Sequence, residues 1–346
     1  MALRLRVVPL AALLVAVLLC HCHAAEASVR ELQVGYYAET CPDAEDIVRA
    51  TMARAQAREA RSVASVMRLQ FHDCFVNGCD GSVLMDPRPG MEGEKDSLSN
   101  INSLRSFDVV DEIKAALEDR CPGVVSCADI IVMAARDAVV LTGGPNWAVR
   151  LGRDDSLTAS HNDSDNIMPS PRANASTLIR LFAGLNLSIT DLVALSGSHS
   201  IGKARCFSIV FRLYNQSGSG QPDPNMDMAY RSALDTLCPQ GGDEEVTGGL
   251  DATPRVFDNQ YFKDLVALRG FLNSDQTLFS DDVRTRRVVK VFSRNQDAFF
   301  KAFMKGMVKM GELQNPKMGE IRRNCRVANV VPVPPKEVAA DRVLDF

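Results

Sequence analysis

Apolar residues recur at helical spacing along most of the chain, whereas the strict alternation that is typical of strands is sparse. Segments rich in Gly, Pro and charged residues, such as 86–102 and 241–254, separate the helical stretches. Residues 146–170 lack apolar periodicity and are predicted to form a long polar loop. The pattern predicts helices over 43–60, 62–75, 107–119, 126–141, 174–182, 202–214, 227–237, 258–268, 281–292 and 296–310, with a further helix that begins at 188. We therefore expect a mostly α-helical protein with long connecting loops and no clear linker between domains.

The second predicted helix carries residues that a purely structural helix rarely combines. Arg68 and His72 are four positions apart, so both side chains lie on one face of the helix. Around its C-terminal end, Asp73, Asp80 and Ser82 lie close together among glycines, which indicates an oxygen-rich loop able to hold a hard metal ion. A cation and a base on one face, next to such a loop, indicate a functional site.

The segment 1–27 is predicted to be a secretory signal peptide. Arg4 and Arg6 precede an apolar run, and the small residues Ala25 and Ala27 fit a cleavage site before Ser28. The run is short for a transmembrane helix and no second one follows, so no membrane anchor is expected. The net charge of −4 over 346 residues gives no basic surface of the kind that binds nucleic acid.

Eight of the ten cysteines lie outside the signal segment, and an even number in an exported chain predicts four disulfides. A zinc site is the alternative, but the sequence contains no Cys-x-x-Cys pair. The sequence alone leaves the pairing open. Four glycosylation motifs predict a glycosylated surface, at Asn162, Asn174, Asn186 and Asn215.

Three stretches of the chain resemble the plant secretory haem peroxidases, the class III family. They are the segments 68–82, Leu192-Val-Ala-Leu-Ser-Gly-Ser-His-Ser-Ile-Gly202 and Phe257-Asp-Asn259, and the similarity extends from Tyr36 to Arg326. The resemblance implies the haem-peroxidase fold, mostly α with minor β-structure, as one structural unit over 28–329. Two helical halves, roughly 28–170 and 171–329, would enclose the haem. The implied disulfides are Cys41–Cys121, Cys74–Cys79, Cys127–Cys325 and Cys206–Cys238.

The same resemblance implies which residues surround a haem b. His199 would be the axial ligand of the iron, and Asp275 would accept the hydrogen bond of its other ring nitrogen. On the opposite side, His72 would act as the base toward hydrogen peroxide, with Asn100 accepting from its Nδ1–H. Arg68 would stabilise the charge that develops as the O–O bond polarises, so it would be both catalytic and a transition-state stabiliser.

Four further residues are assigned less directly. Glu94 resembles the next group in the network behind Asn100, with a solvated loop acid as the alternative. Phe71 would screen the iron from donors. Pro169 resembles the family residue beside the haem edge, although it could simply stiffen the loop. His161, in the predicted polar loop, is expected to be solvent-exposed and to take no part.

The resemblance also implies two calcium ions, bound through side-chain and main-chain oxygens. The first site would comprise Asp73, Val76, Gly78, Asp80 and Ser82. The second would comprise Ser200, Asp251, Thr253, Val256 and Asp258. The second departs from the family pattern, because its Asp-x-Thr segment is one residue short and Ser stands where Thr is common.

The resemblance implies an enzyme that cleaves hydrogen peroxide and oxidises small phenolic donors one electron at a time. It would be a monomer, secreted to the cell wall or extracellular space. The Pro-rich tail, 330–346, would be disordered or a sorting propeptide that directs the protein to the vacuole. Two alternatives remain: a non-catalytic, calcium-bound wall or storage protein with the same fold, and a zinc or calcium hydrolase. The sequence contains no recognisable metal triad or nucleophile elbow for the latter.

Overall fold

A computed structural model describes residues 31–329; the predicted signal segment, 1–27, and tail, 330–346, lie outside these residues. Thirteen α-helices lie within the described range: α1 Ala44–Arg58, α2 Ser62–Phe75, α3 Phe107–Arg120, α4 Cys127–Leu141, α5 His161–Ile167, α6 Ala175–Gly184, α7 Ile189–Ser196, α8 Val210–Tyr214, α9 Met228–Leu237, α10 Gln260–Val266, α11 Asn273–Ser280, α12 Val283–Arg294 and α13 Gln296–Gly311. Two short antiparallel strand pairs accompany them: β1 Gln33–Val34 with β2 Arg150–Leu151, and β3 Lys203–Arg205 with β4 Thr247–Gly249. The prediction of a mostly helical fold with minor β-structure is confirmed.

The long apolar helices occur where the sequence predicts them. α2 has its predicted bounds, and α4 begins directly after Ser126, whose side chain accepts a hydrogen bond from the backbone of Asp129. Every residue of α4 from Cys127 to Val139 is buried, so this helix runs through the core instead of along its surface. α4 packs against both α1 and α2, which fixes the helix that carries Arg68 and His72.

Three local predictions were wrong or incomplete. The predicted loop 146–170 contains α5, which begins where the Ser160 side chain accepts from the backbone of Asp163. The segment 202–214 is not one helix, because β3 pairs with the distant β4 before α8 begins. α11 was not predicted at all. These elements are short and depend on partners that are far away in the sequence, so their own periodicity is too weak to reveal them.

One hydrophobic cluster runs through both halves of the described chain. It includes Val66 and Ile131 from the first half and Leu195 and Phe299 from the second. α13 packs against both α2 and α7, so it joins the two halves. A second cluster, which includes Ile209 and Phe271, lies in the second half. Both halves of the described chain thus contribute to one hydrophobic core.

The turn that carries His199 is packed too tightly for any side chain at Gly197. A Cβ atom there would collide with the rings of Phe299 and Phe262. These rings belong to α13 and α10, and they lie 4.8 Å apart between centroids in an edge-on arrangement. The turn Gly197–Ser200 therefore sits directly on the aromatic core.

A buried ion pair ties the chain's first half to its C-terminal helix. Arg153 Nη1 lies 2.6 Å from Asp129 Oδ1, and both side chains are almost completely buried. Asp129 also accepts from the Tyr37 hydroxyl at 2.7 Å, while the Arg153 Nε donates to the Gly311 carbonyl at 3.1 Å. The pair thus connects β2, α4 and the end of α13.

The structure pairs the eight cysteines as the resemblance implied: Cys41–Cys121, Cys74–Cys79, Cys127–Cys325 and Cys206–Cys238. The third bridge has a sequence separation of 198 and joins the start of α4 to the C-terminal segment. The second closes the short loop after α2, with a separation of 5. The prediction of four disulfides is confirmed.

Within 31–329, no single helix has both the length and the apolar character needed to cross a membrane. Only Ala175–Gly184 and Ile189–Ser200, taken together, meet those criteria by length and composition, and they are bent by 110°.

The buried ion pair yields a stability prediction. Arg153→Met is expected to lower the free energy of unfolding by about 3–5 kcal/mol, because it leaves the Asp129 carboxylate buried without its cation. The free energy is measured by urea unfolding with the disulfides oxidised. The double variant Arg153→Met/Asp129→Asn should lose less, since no uncompensated charge remains. A double variant that is less stable than Arg153→Met would contradict this account.

Candidate active site

Two side chains on one face of α2 form the centre of the first half-site. Arg68 Nε lies 3.0 Å from His72 Nε2, as their spacing on the helix allows. An arginine nitrogen only donates hydrogen bonds, so His72 Nε2 must accept and carries no proton in this arrangement. The Arg68 guanidinium is itself held by the Ser103 carbonyl, at 2.9 Å, and hydroxyl, at 3.1 Å. The histidine is therefore the neutral tautomer protonated at Nδ1.

Asn100 accepts the hydrogen bond of that Nδ1–H group. His72 Nδ1 lies 2.5 Å from Asn100 Oδ1, in a buried contact. The amide is oriented by its other end, because Asn100 Nδ2 donates to the Glu94 carbonyl at 2.9 Å and to Ser164 Oγ at 3.2 Å. Ser164 lies on α5, and sequence reasoning missed it because its helix was taken for a loop. Only the capping residue Ser160 could have suggested that helix.

Asn100 is linked to Glu94 through the main chain. The contact uses the main-chain carbonyl of Glu94, whereas its carboxylate Oε1 accepts from the Ser160 backbone at 3.2 Å. Its Oε2 is buried without a hydrogen-bond partner among the described residues. Burial raises the pKa of Glu94 to about 8.

Burial also affects the pKa values of Arg68 and His72 on α2. It lowers the pKa of His72 well below 6.5, and the positive charge of Arg68 lowers it further. Burial, with the charges of Arg205 and Arg61, lowers the pKa of Arg68 to about 10. At neutral pH the site thus holds a neutral base beside a guanidinium cation.

The loop after α2 contains buried oxygens that have no hydrogen-bond partner in the described part of the chain. The Gly81 backbone donates to Asp73 Oδ2 at 3.0 Å, and Asp80 Oδ1 accepts from the Ser82 backbone at 3.0 Å. Asp73 Oδ1 and Ser82 Oγ are buried with no hydrogen-bond partner within 31–329. Burial and the negative charge of Asp80 raise the pKa of Asp73 well above its usual range. Unused carboxylate and hydroxyl oxygens fit the donor chemistry of Ca²⁺.

The backbone of this loop allows little substitution. Gly78 has a φ of 100°, and a Cβ atom there would lie 2.5 Å from the Gln314 carbonyl carbon. The Cys74–Cys79 bridge closes the loop, and Val76 follows the last residue of α2. The five predicted residues of the first calcium site thus all lie at the end of α2 or in the short segment that follows it.

His199 is the centre of the second half-site. Its Nδ1 lies 2.7 Å from Asp275 Oδ1, at the start of α11. Asp275 also accepts from the Tyr261 hydroxyl at 3.0 Å and, through Oδ2, from the Leu272 backbone at 3.0 Å. The Asp275 side chain is 2% exposed and that of His199 36%. With Nδ1 engaged, Nε2 has no hydrogen-bond partner among residues 31–329, which fits a metal-ligating imidazole.

Tyr261 is a second residue that sequence reasoning missed. Burial and the Asp275 carboxylate raise the pKa of its hydroxyl well above the usual range, so it remains a donor. Tyr261 lies in α10, which follows the Phe257-Asp-Asn259 stretch. No pattern in the sequence pairs it with Asp275.

The residues of the second predicted calcium site also lie together. Ser200 Oγ is 3.1 Å from the Val256 carbonyl and 2.9 Å from that of Asp258. Thr253 Oγ1 lies 3.2 Å from Asp258 Oδ1 and 3.4 Å from Asp251 Oδ2. Although the Asp-x-Thr segment is short, it therefore still brings the Asp251 carboxylate beside Thr253 and Asp258.

Several acids face one another at this second cluster. Burial, together with the charges of Asp258 and Asp264, raises the pKa of Asp251 to about 7. Asp264 accepts from the Ala252 backbone at 3.0 Å and was not predicted. Within the described range, no group of three or more His, Cys, Asp or Glu side chains is arranged to hold a metal. Either calcium site would thus depend on hydroxyl and main-chain oxygens as well.

The structure also shows the surroundings of three other residues named from the sequence, Phe71, Pro169 and His161. Phe71 is half-buried, with its ring edge-on to His72 at 5.5 Å between centroids. Pro169 is half-buried just after α5, and the carbonyl of Pro171 accepts from the Ser274 backbone at 3.0 Å. The prediction that His161 lies in an exposed loop was wrong, because it begins α5 and its side chain is 29% exposed.

The asparagines of the four glycosylation motifs, Asn162, Asn174, Asn186 and Asn215, are all exposed.

A polar cavity of about 420 Å³ lies beside α11. It includes neither His72 nor His199, so it is separate from both half-sites.

Comparison with known proteins places this geometry in a family. Residues 48–295 match the sequence profile described as peroxidase. Peroxidase 17 of Arabidopsis thaliana is 69% identical over 302 residues, which cover 87% of this chain and 92% of that protein. Peroxidase 49 of the same plant is 50% identical over 298 residues, covering 85% and 90%. Peroxidase N of Armoracia rusticana is 48% identical over 303 residues, covering 86% and 91%. The chain therefore belongs to the plant class III peroxidases, enzymes that use a haem and hydrogen peroxide to oxidise a donor.

Proposed function

We propose that the protein is a secreted, monomeric haem peroxidase that oxidises small phenolic donors, with His72 and Arg68 acting on hydrogen peroxide and His199 holding the iron. One observation carries the assignment of these residues. Each histidine has its Nδ1 fixed by a buried side-chain oxygen, of Asn100 or of Asp275, which leaves its Nε2 for chemistry. A histidine with a purely structural role does not need its Nδ1 fixed in this way, and here both halves of one core contain such a histidine.

The bound haem would supply the iron at which the O–O bond is cleaved and the oxidising equivalents that two donor molecules consume in turn. The residues around the two histidines fit this group. His199 offers a free Nε2, and the half-exposed side chains of Arg68 and Phe71 lie beside His72.

His72 would move a proton between the two oxygens of the peroxide. Its Nε2 is unprotonated, so it can take the proton of the nearer oxygen and return it to the farther one, which leaves as water. The lowered pKa keeps the imidazole in this form at neutral pH. Arg68 would interact with the charge that develops on the departing oxygen, from a position already fixed by Ser103.

Asp275 would make His199 a stronger ligand. A carboxylate that accepts the Nδ1–H increases the electron density at Nε2. The Tyr261 hydroxyl and the Leu272 backbone hold that carboxylate in place.

Two calcium ions are part of the proposal. The unpartnered Asp73 Oδ1 and Ser82 Oγ support the first site, and the oxygens gathered around Thr253 support the second. Asp73 directly follows His72, so an ion in the first site would also fix the end of the helix that carries the base. The alternative of a non-catalytic calcium protein is disfavoured by the intact pairing at both histidines.

Replacement of the base tests the function. His72→Ala is expected to slow the reaction with hydrogen peroxide by about 10²–10⁴-fold, because no group remains to transfer the proton. The rate is measured by rapid mixing of the haem-loaded protein with peroxide. The control is the haem absorption spectrum, which His72→Ala should retain and His199→Ala should alter. Unchanged peroxide turnover in both variants, or a purified protein without haem absorbance, would contradict the proposal.

The pKa of His72 predicts the pH dependence of the same step. Since the base must be neutral, the rate is lost as the pH falls through its lowered pKa, and it should stay constant as the pH passes 6.5, the ordinary histidine value. The measurement is the rate constant with peroxide against pH. A rate that halves near 6.5 would show that burial does not depress this pKa.

The two calcium clusters should differ in their effect on turnover. Asp80→Ala is expected to lower activity more than Asp251→Ala, because only the first loop adjoins His72. Peroxide-dependent oxidation of a phenol and bound calcium are measured for both variants. Equal losses of activity at equal losses of calcium would count against a special role for the first site.

A further inference from the structure

An exposed aromatic ring lies between two arginines in the second half of the chain. The Phe207 side chain is 47% exposed. The guanidinium carbon of Arg205 lies 5.3 Å from its ring centroid and that of Arg172 5.8 Å. Arg172 is also 4.8 Å from the ring of Phe211. These distances are within the range of cation–π contacts, so both guanidinium groups are held over the aromatic surface.

The two arginines differ in their charge balance. Arg205 forms an ion pair with Glu245 at 2.5 Å. Arg172 is exposed, and among residues 31–329 no carboxylate forms an ion pair with it. Arg172 is therefore a cation that is already positioned by two rings and still free to bind an anion.

This cluster is attached to the half-site of His199. The carbonyls of Arg172 and Ala173 accept from Asn273 Nδ2 at 3.0 and 3.1 Å. Asn273 begins α11, two positions before Asp275, which holds His199. The position of Arg172 is thus fixed by the same helix that orients the candidate iron ligand.

The cluster also adjoins the helix that carries His72. Arg61 directly precedes α2, and its Nη2 donates to the Lys203 carbonyl at 3.1 Å, on the strand that ends at Arg205. A group bound at Phe207 therefore lies beside segments that lead to both half-sites.

The surroundings form a positively charged rim on a protein whose net charge is −4. Besides Arg172 and Arg205, it includes Arg61 and the exposed Lys203. Such a local field attracts anionic ligands and raises their encounter rate.

The polar cavity that Arg172 also lines is a less suitable place for an anion. Asp223 and Asp281 line it as well; Arg212 compensates the charge of Asp223, whereas the Asp281 carboxylate repels negative charge. The anion that Arg172 can accept is therefore expected on the side of Phe207.

We propose that Arg172 and Phe207 form a selective binding site for phenolic donors that carry a carboxylate, with the ring of the donor against Phe207 and its carboxylate on Arg172. The proposal depends on the proposed function, since it specifies which donors that activity prefers. Arg61 and Lys203 steer the anion, and Arg172 alone pairs with it. Neutral phenols reach the same ring without this ion pair and are used less efficiently.

The test compares two donors that differ in charge, 4-hydroxycinnamate and 4-hydroxycinnamyl alcohol. Their affinities for the haem-loaded protein are measured by calorimetry without peroxide, and their kcat/KM values with peroxide. Arg172→Gln is compared with Arg287→Gln, which removes the same charge from an exposed position on α12. Phe207→Leu removes the ring but no charge.

We expect the protein to bind and oxidise the carboxylate donor better than the alcohol. Arg172→Gln should weaken the binding of the carboxylate donor by about threefold or more, and should lower the kcat/KM ratio of carboxylate to alcohol by a similar factor. Added salt should reduce the preference. Arg287→Gln should keep both ratios, and Phe207→Leu should weaken both donors.

An equal preference in the unmodified protein and Arg172→Gln would overturn the proposal. The same loss in Arg287→Gln would overturn it too, because net charge alone would then explain the preference. If neither donor is oxidised with peroxide, the proposed function fails, while the calorimetric comparison still decides whether Arg172 selects the carboxylate.

Discussion

The hydrogen bond between His72 Nδ1 and Asn100 Oδ1 is the constraint on which the candidate active site depends. It fixes the proton on Nδ1, and Arg68 can donate to Nε2 only because that nitrogen is then an acceptor. The amide of Asn100 can accept in this direction because its NH₂ group is engaged by the Glu94 carbonyl and by Ser164. A short helix and a loop far from His72 in the sequence therefore determine which of its ring nitrogens is unprotonated.

The two histidines share one hydrogen-bond arrangement but suit two different chemical roles. Each has its Nδ1 bound by a side-chain oxygen, but a neutral amide faces His72 and a carboxylate faces His199. The amide orients His72 without adding charge, so burial and Arg68 keep its pKa low and the ring neutral. The carboxylate adds electron density to His199, which suits a ligand for iron. The partner of each ring thus separates the two proposed roles, base for His72 and iron ligand for His199.

Much of this could be predicted from the sequence. The long helices follow from apolar periodicity, and α2 has its predicted bounds, with Arg68 and His72 on one face as their spacing requires. The family motifs named the residues of both half-sites and the disulfide pairs. They could not reveal α5, α11 or the β3–β4 pair, since these short elements are stabilised by distant partners such as Thr247–Gly249.

What the sequence by itself determined is the set of reactive groups, their local spacing and the helical fold. Only the tertiary structure decided how they are connected. It linked Asn100 to the main chain of Glu94 and not to its carboxylate, and it brought the Tyr261 hydroxyl to Asp275. It also held Arg172 over Phe207 without a carboxylate partner among the described residues. Hydrogen bonds, burial and charge contacts depend on distances between segments that are remote along the chain, and residue spacing fixes these distances only within a single helix or turn.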